Sequence, residues 1–232
     1  MNVSADGSRG LPWKFLRILK RIWTTRLGLR KRRPYSLGYE YQPPLMPHLP
    51  AGGVILDIAC GGNPLPQATL LSDLHMGPSP HRTVPLARDQ RPFIVLDIHH
   101  LPFKDKSIDY VYCSHVLEHV ADPELACREI MRVAKAGYIE TPTLMKDALF
   151  AWAGMIHHRW HVTRIGTRLV FFEYDERRRQ GVRTTQWRDA VLGEFHHPDQ
   201  DLFFPNQDLF NTCLEWKTGF EVTVFRLPPA SS

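Results

Sequence analysis

Short apolar runs that end in an acidic residue recur through the first half of the chain. Val54 to Asp57, Thr69 to Asp73 and Phe93 to Asp97 are such runs. Ile108 to Cys113 and Gly137 to Thr141 are further apolar runs of similar length. A short apolar run between turn residues is typical of a strand that is buried on both faces, as in a parallel sheet. The pattern therefore predicts an α/β fold with a mostly parallel, twisted sheet.

Helices and additional strands are predicted after the fourth strand. Asp122 is a good N-cap before Pro123, and a helix is predicted from there to about Val133. Helical spacing of apolar residues recurs over Leu144 to Ile156. The elements predicted beyond it are a β-hairpin of Trp160 to Ile165 and Arg168 to Tyr174, a helix around Trp187 to Phe195, a turn over Glu215 to Gly219 and an antiparallel final strand, Phe220 to Phe225.

Two connections of the predicted sheet lack a helical pattern. Pro64 and Pro66 leave room for no more than one or two helical turns after the first strand. Leu74 to Pro92 contains Gly77 and several prolines, so we predict a long loop there. Long loops in compact domains are usually functional, and we expect this one to form a wall of the substrate site.

The stretch from Val54 to Pro64 carries the strongest local signal for a ligand. A strand that ends in Asp57 is followed by small residues, Ala59-Cys60-Gly61-Gly62-Asn63. Such residues allow the backbone to turn sharply and to approach a ligand closely. In a parallel α/β sheet, a nucleotide-like cofactor binds at the carboxyl end of a strand, beside the point where the strand order reverses.

Four segments, in this order, resemble the class I S-adenosylmethionine-dependent methyltransferases. They are the turn Leu56 to Gly62, the segment Asp97 to Phe103, the strand Ile108 to Val111 and a predicted helix with the sequence Val116-Leu117-Glu118-His119-Val120. The resemblance covers roughly residues 52–142, and its specificity comes from the joint occurrence of the segments. It is strongest to the methyltransferase-domain family that includes quinone-biosynthesis enzymes. It implies a Rossmann-like class I methyltransferase fold, S-adenosylmethionine as the cofactor and methyl transfer as the activity.

The acidic residues at the strand ends are the main candidates for cofactor binding. Asp57 is placed to support the turn and the cofactor's amino group, and Asp73 to accept hydrogen bonds from ribose hydroxyls, as the acidic residue of dinucleotide folds does. The resemblance implies that Asp97, with the backbone at Ile98, faces the adenine edge. The alternative for each aspartate is an ordinary turn or cap residue. The predicted cofactor-binding residues are Asp57, Ala59, Cys60, Gly61, Asn63, Asp73, Asp97, Ile98 and Ser114.

Two positions of the glycine-rich turn depart from the family pattern. Ala59 stands at the family's first glycine position and Asn63 at its third. Alanine costs little where φ is negative, and asparagine tolerates left-handed conformations. We therefore expect weakened geometry at this turn, with cofactor binding retained.

His115 is the one candidate for a catalytic residue. It follows the fourth strand and is expected near the methyl-bearing sulfur, where an imidazole could act as a general base. The competing interpretation is that His115 only lines the cofactor pocket, because the cofactor already carries the activated methyl group and little further catalysis is needed. Glu118 and His119 are interpreted as structural residues of the predicted helix.

A histidine-rich run raises the question of a metal site. His157, His158 and His161 lie within five residues, and His196-His197 could join them. Adjacent histidines point in different directions on a helix or strand, and no cysteine or carboxylate has supporting spacing. We therefore predict no metal site, and a substrate wall or an ordinary polar surface instead.

Positive charge is concentrated at the amino terminus. Residues 1–35 contain ten Lys or Arg and one acid, whereas the rest of the chain has 19 basic and 23 acidic residues. The net charge of +5 and the pI of about 9.1 therefore reflect this segment and do not indicate nucleic-acid binding by the body of the protein. We divide the chain into a basic amphipathic segment, 1–35, and a methyltransferase domain, 36–232, with substrate-side elements over about 143–215.

The basic segment contains a predicted amphipathic helix, Leu11 to Leu27. It could pack on the domain as a lid, lie on an anionic membrane surface, or serve as an organelle presequence, which ranks third. No apolar run reaches the ~20 residues of a membrane span, and the four scattered cysteines indicate reduced thiols. We expect a cytoplasmic protein that lies peripherally on the inner face of a membrane.

Two main classes of function are compatible with these residues. In the first, the protein methylates a small-molecule, lipid or glycan acceptor. In the second, it is a noncatalytic regulatory protein that keeps the fold and binds the cofactor. An RNA or protein methyltransferase is a third alternative, but the body of the chain lacks the aromatic and RNA-module signatures of nucleic-acid binding.

Overall fold

Nine strands and three helices are present in the part of the chain that the computed structural model describes, residues 49–79, 82, 84–149, 157–175 and 207–228. The strands are β1 (Ile55–Ile58), β2 (Leu70–Asp73), β3 (Phe93–Val95), β4 (Ile108–Ser114), β5 (Ala134–Pro142), β6 (Trp160–Ile165), β7 (Arg168–Glu173), β8 (Asn211–Lys217) and β9 (Glu221–Phe225). The helices are α1 (Pro123–Val133), α2 (Leu144–Leu149) and α3 (Gln207–Phe210).

The larger sheet has six strands in the order β3-β2-β1-β4-β5-β8. The first five are parallel to their neighbours, and β8 runs antiparallel to β5. The order reverses between β1 and β4, so the carboxyl ends of these two strands form the crevice where such sheets bind ligands. The predicted Rossmann-like, mostly parallel sheet with an antiparallel last strand is confirmed.

The antiparallel strand comes from a different segment than the one we predicted. It is β8, whose residues 215–217 we had predicted as part of a turn; the turn is confined to Thr218 and Gly219. The segment predicted as the final strand is β9, which pairs in parallel with β7 in a second sheet. The alternation of apolar and polar residues along 220–225 indicated a strand with one buried face, but it did not indicate which sheet that strand joins.

The second sheet has the order β6-β7-β9. Its first two strands form the predicted hairpin, with Gly166 in the turn at φ 62°. The hydroxyl of Thr212 in β8 donates a hydrogen bond of 3.1 Å to the carbonyl of Val162 in β6. This contact, together with the buried Trp160 and Phe171, fixes the second sheet against the end of the first.

The predicted helix Pro123–Val133 is confirmed as α1. The Asp122 side chain caps it by accepting hydrogen bonds from the N–H groups of Glu124 and Leu125. Its apolar face, which includes Cys127 and Ile130, is buried against the larger sheet. At most one or two helical turns were predicted between β1 and β2, and the structure has no helix there. The described residues of the loop from Leu74 to Pro92 form neither helix nor strand.

Several predictions concern residues outside the described ranges. These are the amphipathic helix 11–27, the domain boundary at residue 36, the end of the predicted helix 144–156 and the helix around 187–195. Within the described residues, no helix is both long and apolar enough to cross a membrane. All four cysteines are free thiols, as predicted, and Cys60, Cys113 and Cys127 are buried.

Candidate cofactor and acceptor site

One cavity of about 720 Å³ opens at the carboxyl ends of β1, β2 and β4. This volume lies within the ~300–1,000 Å³ that is typical of small-molecule sites. Eight of the nine predicted cofactor-binding residues line it: Ala59, Cys60, Gly61, Asn63, Asp73, Asp97, Ile98 and Ser114. His115 lines it as well. The sequence prediction thus selected residues from four separate segments that the fold brings to one cavity.

Asp57 is the predicted residue that does not line the cavity. Its side chain is buried beneath the turn after β1 and accepts a hydrogen bond of 2.7 Å from the N–H of Leu65. Burial raises the pKa of the Asp57 carboxyl from 3.8 to about 7, although the Leu65 hydrogen bond acts in the opposite direction. Asp57 therefore supports the turn, and its contact with the cofactor's amino group stays a prediction.

The turn after β1 is tighter than expected. Ala59 has a φ of 56°, so the condition under which alanine costs little is not met, and a left-handed alanine costs roughly 1–2 kcal/mol. Gly61 shares that φ, whereas Asn63 does not have a positive φ. A Cβ on Gly62 would clash with the side chain of Val84 and the carbonyl of Pro85, so this glycine is needed for close contact with the loop after β2. The N–H of Cys60 donates to the carbonyl of Ser72 at 2.8 Å, which holds the strained turn against β2.

The carboxylate of Asp73 stands at the end of β2 and is already engaged by protein groups. It accepts hydrogen bonds from the N–H of His75 at 2.9 Å and the N–H of Gly61 at 3.3 Å. The guanidinium of Arg82 lies 3.0 Å from the same carboxylate, and both side chains are only 10% exposed. A ribose hydroxyl at Asp73 would share the carboxylate with Arg82. Sequence analysis missed Arg82 because it lies within the irregular loop.

Asp97 presents a half-exposed carboxylate to the cavity. It accepts hydrogen bonds from the N–H of His99 at 2.9 Å and from Nδ1 of His99 at 2.6 Å. Nε2 of His99 accepts the N–H of Asp122, so Nδ1 must be the nitrogen that carries the proton. The backbone hydrogen bond, followed by the side-chain one, holds the pKa of Asp97 below its usual value. Asp97 is therefore an oriented, ionised acceptor.

Ser114 and His115 form the corner between β4 and the next turn. The hydroxyl of Ser114 is buried and has no hydrogen-bond partner among the described residues. His115 has a φ of 56°, and its N–H donates to the carbonyl of Glu140 at 2.8 Å. A histidine held in the left-handed region is uncommon, and such strain clusters at functional sites.

An acid–base cluster surrounds the imidazole of His115. Nδ1 lies 3.2 Å from Oε1 of Glu118, and Nε2 lies 3.3 Å from Oε1 of Glu140. Nζ of Lys146 is 3.0 Å from Nε2 of His115 and donates a hydrogen bond of 2.8 Å to Oδ1 of Asn211. His115, Glu118 and Lys146 line the cavity.

The electrostatics of this cluster are set by burial and by the opposed charges. Burial and the neighbouring Lys146 lower the pKa of His115, but the two carboxylates outweigh them and the net pKa is raised. Burial raises the pKa of Glu118, but His115 and the other nearby histidines outweigh this effect and lower that pKa to about 2. Burial lowers the pKa of Lys146 to about 8. The cluster can therefore take up or release a proton near neutral pH.

Glu118 and His119 are not helical, so their interpretation as structural helix residues is wrong. They lie in a turn in which the N–H of His119 donates to the carbonyl of Val116 at 3.0 Å. The carbonyl of Glu118 accepts the N–H of Arg159 at 2.7 Å and that of Trp160 at 3.1 Å. Pairing with the segment before β6 prevents this turn from continuing as a helix and brings residues about 40 positions apart to the cavity.

The histidine-rich run separates in the structure. His158 is buried, with Nδ1 3.1 Å from a carboxylate oxygen of Asp147, and it lines the cavity together with His157. His161 lies on β6 and stacks on Phe172 with 5.9 Å between ring centroids. These three imidazoles do not converge, and the absence of a metal site in this run stays a prediction.

Lys146, Asp147 and Glu140 are site residues that sequence analysis missed. All three are buried, although charged side chains are seldom buried without partners. Lys146 and Asp147 are adjacent charged residues within the short apolar pattern of α2, which was the signal available in the sequence. Nothing local indicates that this helix faces the cavity, because its position follows from the pairing of β5 with β8.

A nucleotide-type site at the switch point of a parallel sheet defines a cofactor-binding α/β protein. Residues 56–139 match the family model described as a methyltransferase domain, and this match supports a class I S-adenosylmethionine-dependent methyltransferase. The cofactor is S-adenosylmethionine. The similarity to quinone-biosynthesis enzymes stays a prediction.

Other comparisons are more distant. No curated protein matches the chain. One similar solved structure is an S-adenosylmethionine-dependent methyltransferase of Thermotoga maritima, with 21% identity, coverage of 43% of this chain and 48% of that chain, and a TM-score of 0.34. Another is an S-adenosylmethionine-dependent methyltransferase of Mesorhizobium loti, with 19% identity, coverage of 56% of this chain and 62% of that chain, and a TM-score of 0.35. The chain spans about half or less of the first such structures, and likenesses this distant carry no information about a substrate.

The residues present fit S-adenosylmethionine. The cofactor combines a nucleoside with an amino acid, and it therefore needs both carboxylate acceptors and closely approaching backbone. The cavity offers the ionised Asp97, the carboxylate of Asp73, the turn around Gly61 and the unpartnered hydroxyl of Ser114. These groups lie at the carboxyl ends of β1, β2, β3 and β4, and the acid–base cluster around His115 includes Glu140 of β5 and Lys146 of α2.

Proposed function

We propose that this protein transfers the methyl group of S-adenosylmethionine to an oxygen or nitrogen atom of a small-molecule, lipid or glycan acceptor. The carrying observation is the cluster of His115, Glu118, Glu140 and Lys146, which borders the cavity at the end of β4. An acceptor O–H or N–H loses a proton when it is methylated. A cluster that titrates near neutral pH can accept this proton, so it suits such an acceptor better than it suits an acceptor that has no proton to lose.

In this proposal His115 accepts the proton. Its ring lies between two carboxylates, at 3.2 and 3.3 Å, which stabilise the imidazolium as it forms. The left-handed backbone at His115 and its hydrogen bond to the carbonyl of Glu140 orient the ring. Lys146, buried and 3.0 Å from Nε2, lies where it can pass the proton on once its own amine is neutral.

The cofactor supplies the activated methyl group, and the protein binds and orients it. We assign the ribose to Asp73, the adenine edge to Asp97 and the backbone at Ile98, and the methionine portion to the turn from Ala59 to Asn63. These assignments are supported by the family resemblance and by the lining of the cavity. Asp57 supports this turn from below.

The alternative is a noncatalytic protein that binds the cofactor. The proposal is tested by incubating the purified full-length protein with S-adenosylmethionine and panels of phenols, amines, glycans and lipid vesicles. We expect S-adenosylhomocysteine to form only when one acceptor class is present. Tight binding of both cofactor forms in calorimetry, without turnover on any panel, would favour the noncatalytic alternative.

With the acceptor class known, His115→Gln should lower kcat by about 100-fold or more, because general acid–base catalysis typically contributes 10²–10⁴-fold. KM should change little, and the rise of kcat with pH should flatten. Steady-state kinetics over a range of pH measure both effects. His100→Gln, at an exposed histidine outside the cavity, is the matched control. An unchanged kcat for His115→Gln would assign the proton transfer to another group or to water.

Asp97→Ala should weaken cofactor binding by about 10- to 100-fold, because a hydrogen bond to a charged group contributes about 1.5–3 kcal/mol. Calorimetric titration with S-adenosylhomocysteine measures the effect without an acceptor. Asp105→Ala is the control, since Asp105 is exposed and pairs with Arg132 away from the cavity. Equal affinities of the two folded variants would place the adenine elsewhere.

We also propose that the basic segment brings the protein to an anionic membrane surface. The support is its composition: nine of its ten basic residues fall between Lys14 and Arg33, beside the apolar positions of the predicted helix. Each basic residue near such a surface contributes about 1 kcal/mol, so binding should depend on salt. Co-sedimentation with anionic vesicles at low salt, lost on deletion of residues 1–33, is the expected result.

A further inference from the structure

Three side chains from two distant segments converge at the acceptor end of the cavity. Glu118, His119 and His158 each offer one ligand atom, and these atoms all lie within 4.8 Å of one another. Oε1 of Glu118 is 3.7 Å from Nε2 of His119, and the rings of the two histidines are 4.8 Å apart between centroids. We propose that this triad binds a divalent transition-metal ion of the Zn²⁺ type.

The carboxylate of Glu118 provides an observation that points to a ligand. Its side chain is 1% exposed, and Oε1 is engaged by His115, yet Oε2 has no hydrogen-bond partner among the residues that the structure describes. Leaving a buried charged oxygen without a partner is costly, whether it was never paired or has lost its partner. A bound cation would satisfy this oxygen directly.

Both histidines are oriented in the way that metal ligands require. Nδ1 of His119 lies 3.1 Å from the carbonyl of His157, and Nδ1 of His158 lies 3.1 Å from Oδ2 of Asp147. Donation from each Nδ1 places the lone pair on Nε2, the atom that would bind the metal. Asp147 is itself held by the hydroxyl of Tyr174 at 3.0 Å. The result is a carboxylate–histidine pair of the kind that supports zinc sites.

The ligand types select the ion. Two imidazoles and one carboxylate suit Zn²⁺ and the neighbouring first-row ions, whereas Mg²⁺ and Ca²⁺ prefer oxygen ligands. Zinc ligands at about 2.0–2.1 Å from the metal stand roughly 3.3 Å apart in a tetrahedral site. Nε2 of His119 lies 3.7 Å from Oε1 of Glu118, in the same carboxylate as the unpartnered Oε2, and this distance is close to that spacing. The three ligand atoms within 4.8 Å of one another would have to move closer together around the ion.

A metal held here would face the cavity, because all three ligands line it. Three protein ligands leave at least one coordination position open, which is the arrangement of catalytic rather than structural zinc sites. An acceptor oxygen could occupy that position. Metal binding itself does not depend on the proposed methyl transfer, and it can be measured without cofactor or acceptor.

The test uses full-length protein that has been stripped of metal with a chelator and titrated with Zn²⁺ by calorimetry, and with Co²⁺ by visible absorption. We expect one equivalent to bind. Glu118→Gln and His158→Gln should each weaken Zn²⁺ binding at least about 100-fold, and Asp147→Asn about 10- to 100-fold. His161→Gln, which alters a nearby histidine outside the triad, should bind as the unaltered protein does.

Circular dichroism verifies that each variant is folded, and His158→Gln decides the matter if Glu118→Gln does not fold. Failure of the unaltered protein to bind one equivalent of Zn²⁺ would overturn the proposal. Equal affinities of His158→Gln and His161→Gln would overturn it as well. Weakening by His161→Gln alone would assign the metal to the histidine-rich run and reject the triad.

Discussion

Replacing Trp160 by alanine is expected to lower the free energy of unfolding by about 3–5 kcal/mol, the usual cost of removing a large buried aromatic side chain. Trp160 is 1% exposed and packs edge to face on Phe171 at 6.4 Å between centroids. Its Nε1–H donates a hydrogen bond of 2.8 Å to the carbonyl of Val120. The substitution therefore leaves both a cavity and an unpaired carbonyl.

Trp160 also supports the turn that borders the cavity. The backbone N–H of Trp160 binds the carbonyl of Glu118, so the residue joins β6 to the turn that carries Glu118 and His119. Denaturant-induced unfolding measures the stability. Trp160→Phe is the matched control and should cost clearly less, because it keeps an aromatic ring and most of the volume while losing the hydrogen bond. A loss below 1 kcal/mol for Trp160→Ala would contradict the packing described for this region.

Asp57→Asn is expected to remove a strong pH dependence of stability. The folded pKa of Asp57 is about 7, and its ordinary value is 3.8. Between these values the folded protein holds a proton that the unfolded chain has released, so stability falls as pH rises, by about 1.4 kcal/mol per unit for this group. Above pH 7 both states are ionised and the dependence ends. From pH 4.5 to pH 8 the unaltered protein should lose about 3 kcal/mol more stability than Asp57→Asn.

Asparagine keeps an oxygen that can accept the N–H of Leu65, so the turn should persist in this variant. Urea unfolding at pH 4.5, 6 and 8 measures both proteins, and their difference removes the titration of groups that they share. Asp109→Asn is the control: Asp109 is half-buried beside Lys135 and its pKa is lowered from 3.8, so it is ionised in both states over this pH range and the variant should keep the pH dependence of the unaltered protein. Parallel pH profiles for the unaltered protein and Asp57→Asn would show that the buried carboxyl is ionised throughout.

The elements that local pattern determines were predicted well. Asp122-Pro123 fixed the start of α1, because an aspartate cap and a proline at the first turn act within a few residues. Gly166 fixed the hairpin of β6 and β7 for the same reason. The site residues Asp73, Asp97 and Ser114 were predictable because each directly ends, or follows, a strand whose direction the parallel sheet dictates.

Predictions that depended on the surroundings of a segment were less successful. Alanine costs little at negative φ, but the tight crossing from β1 to β2 places Ala59 in the left-handed region. Glu118 and His119 were interpreted as helical from their local pattern, and the pairing of Glu118 with the segment before β6 stops the helix. In both cases a contact from another part of the chain outweighed a local preference.

The sequence by itself determined the parallel sheet, its order of apolar strands and the acidic and glycine-rich residues at their carboxyl ends, because strand burial and turn chemistry are local properties. Only the tertiary structure decided that β8 completes the larger sheet and that β9 joins β7. It also decided that His158 from one segment meets Glu118 and His119 from another, with Lys146 beside His115. Contacts of this kind depend on long-range strand pairing, and the spacing of residues along the chain does not predict them.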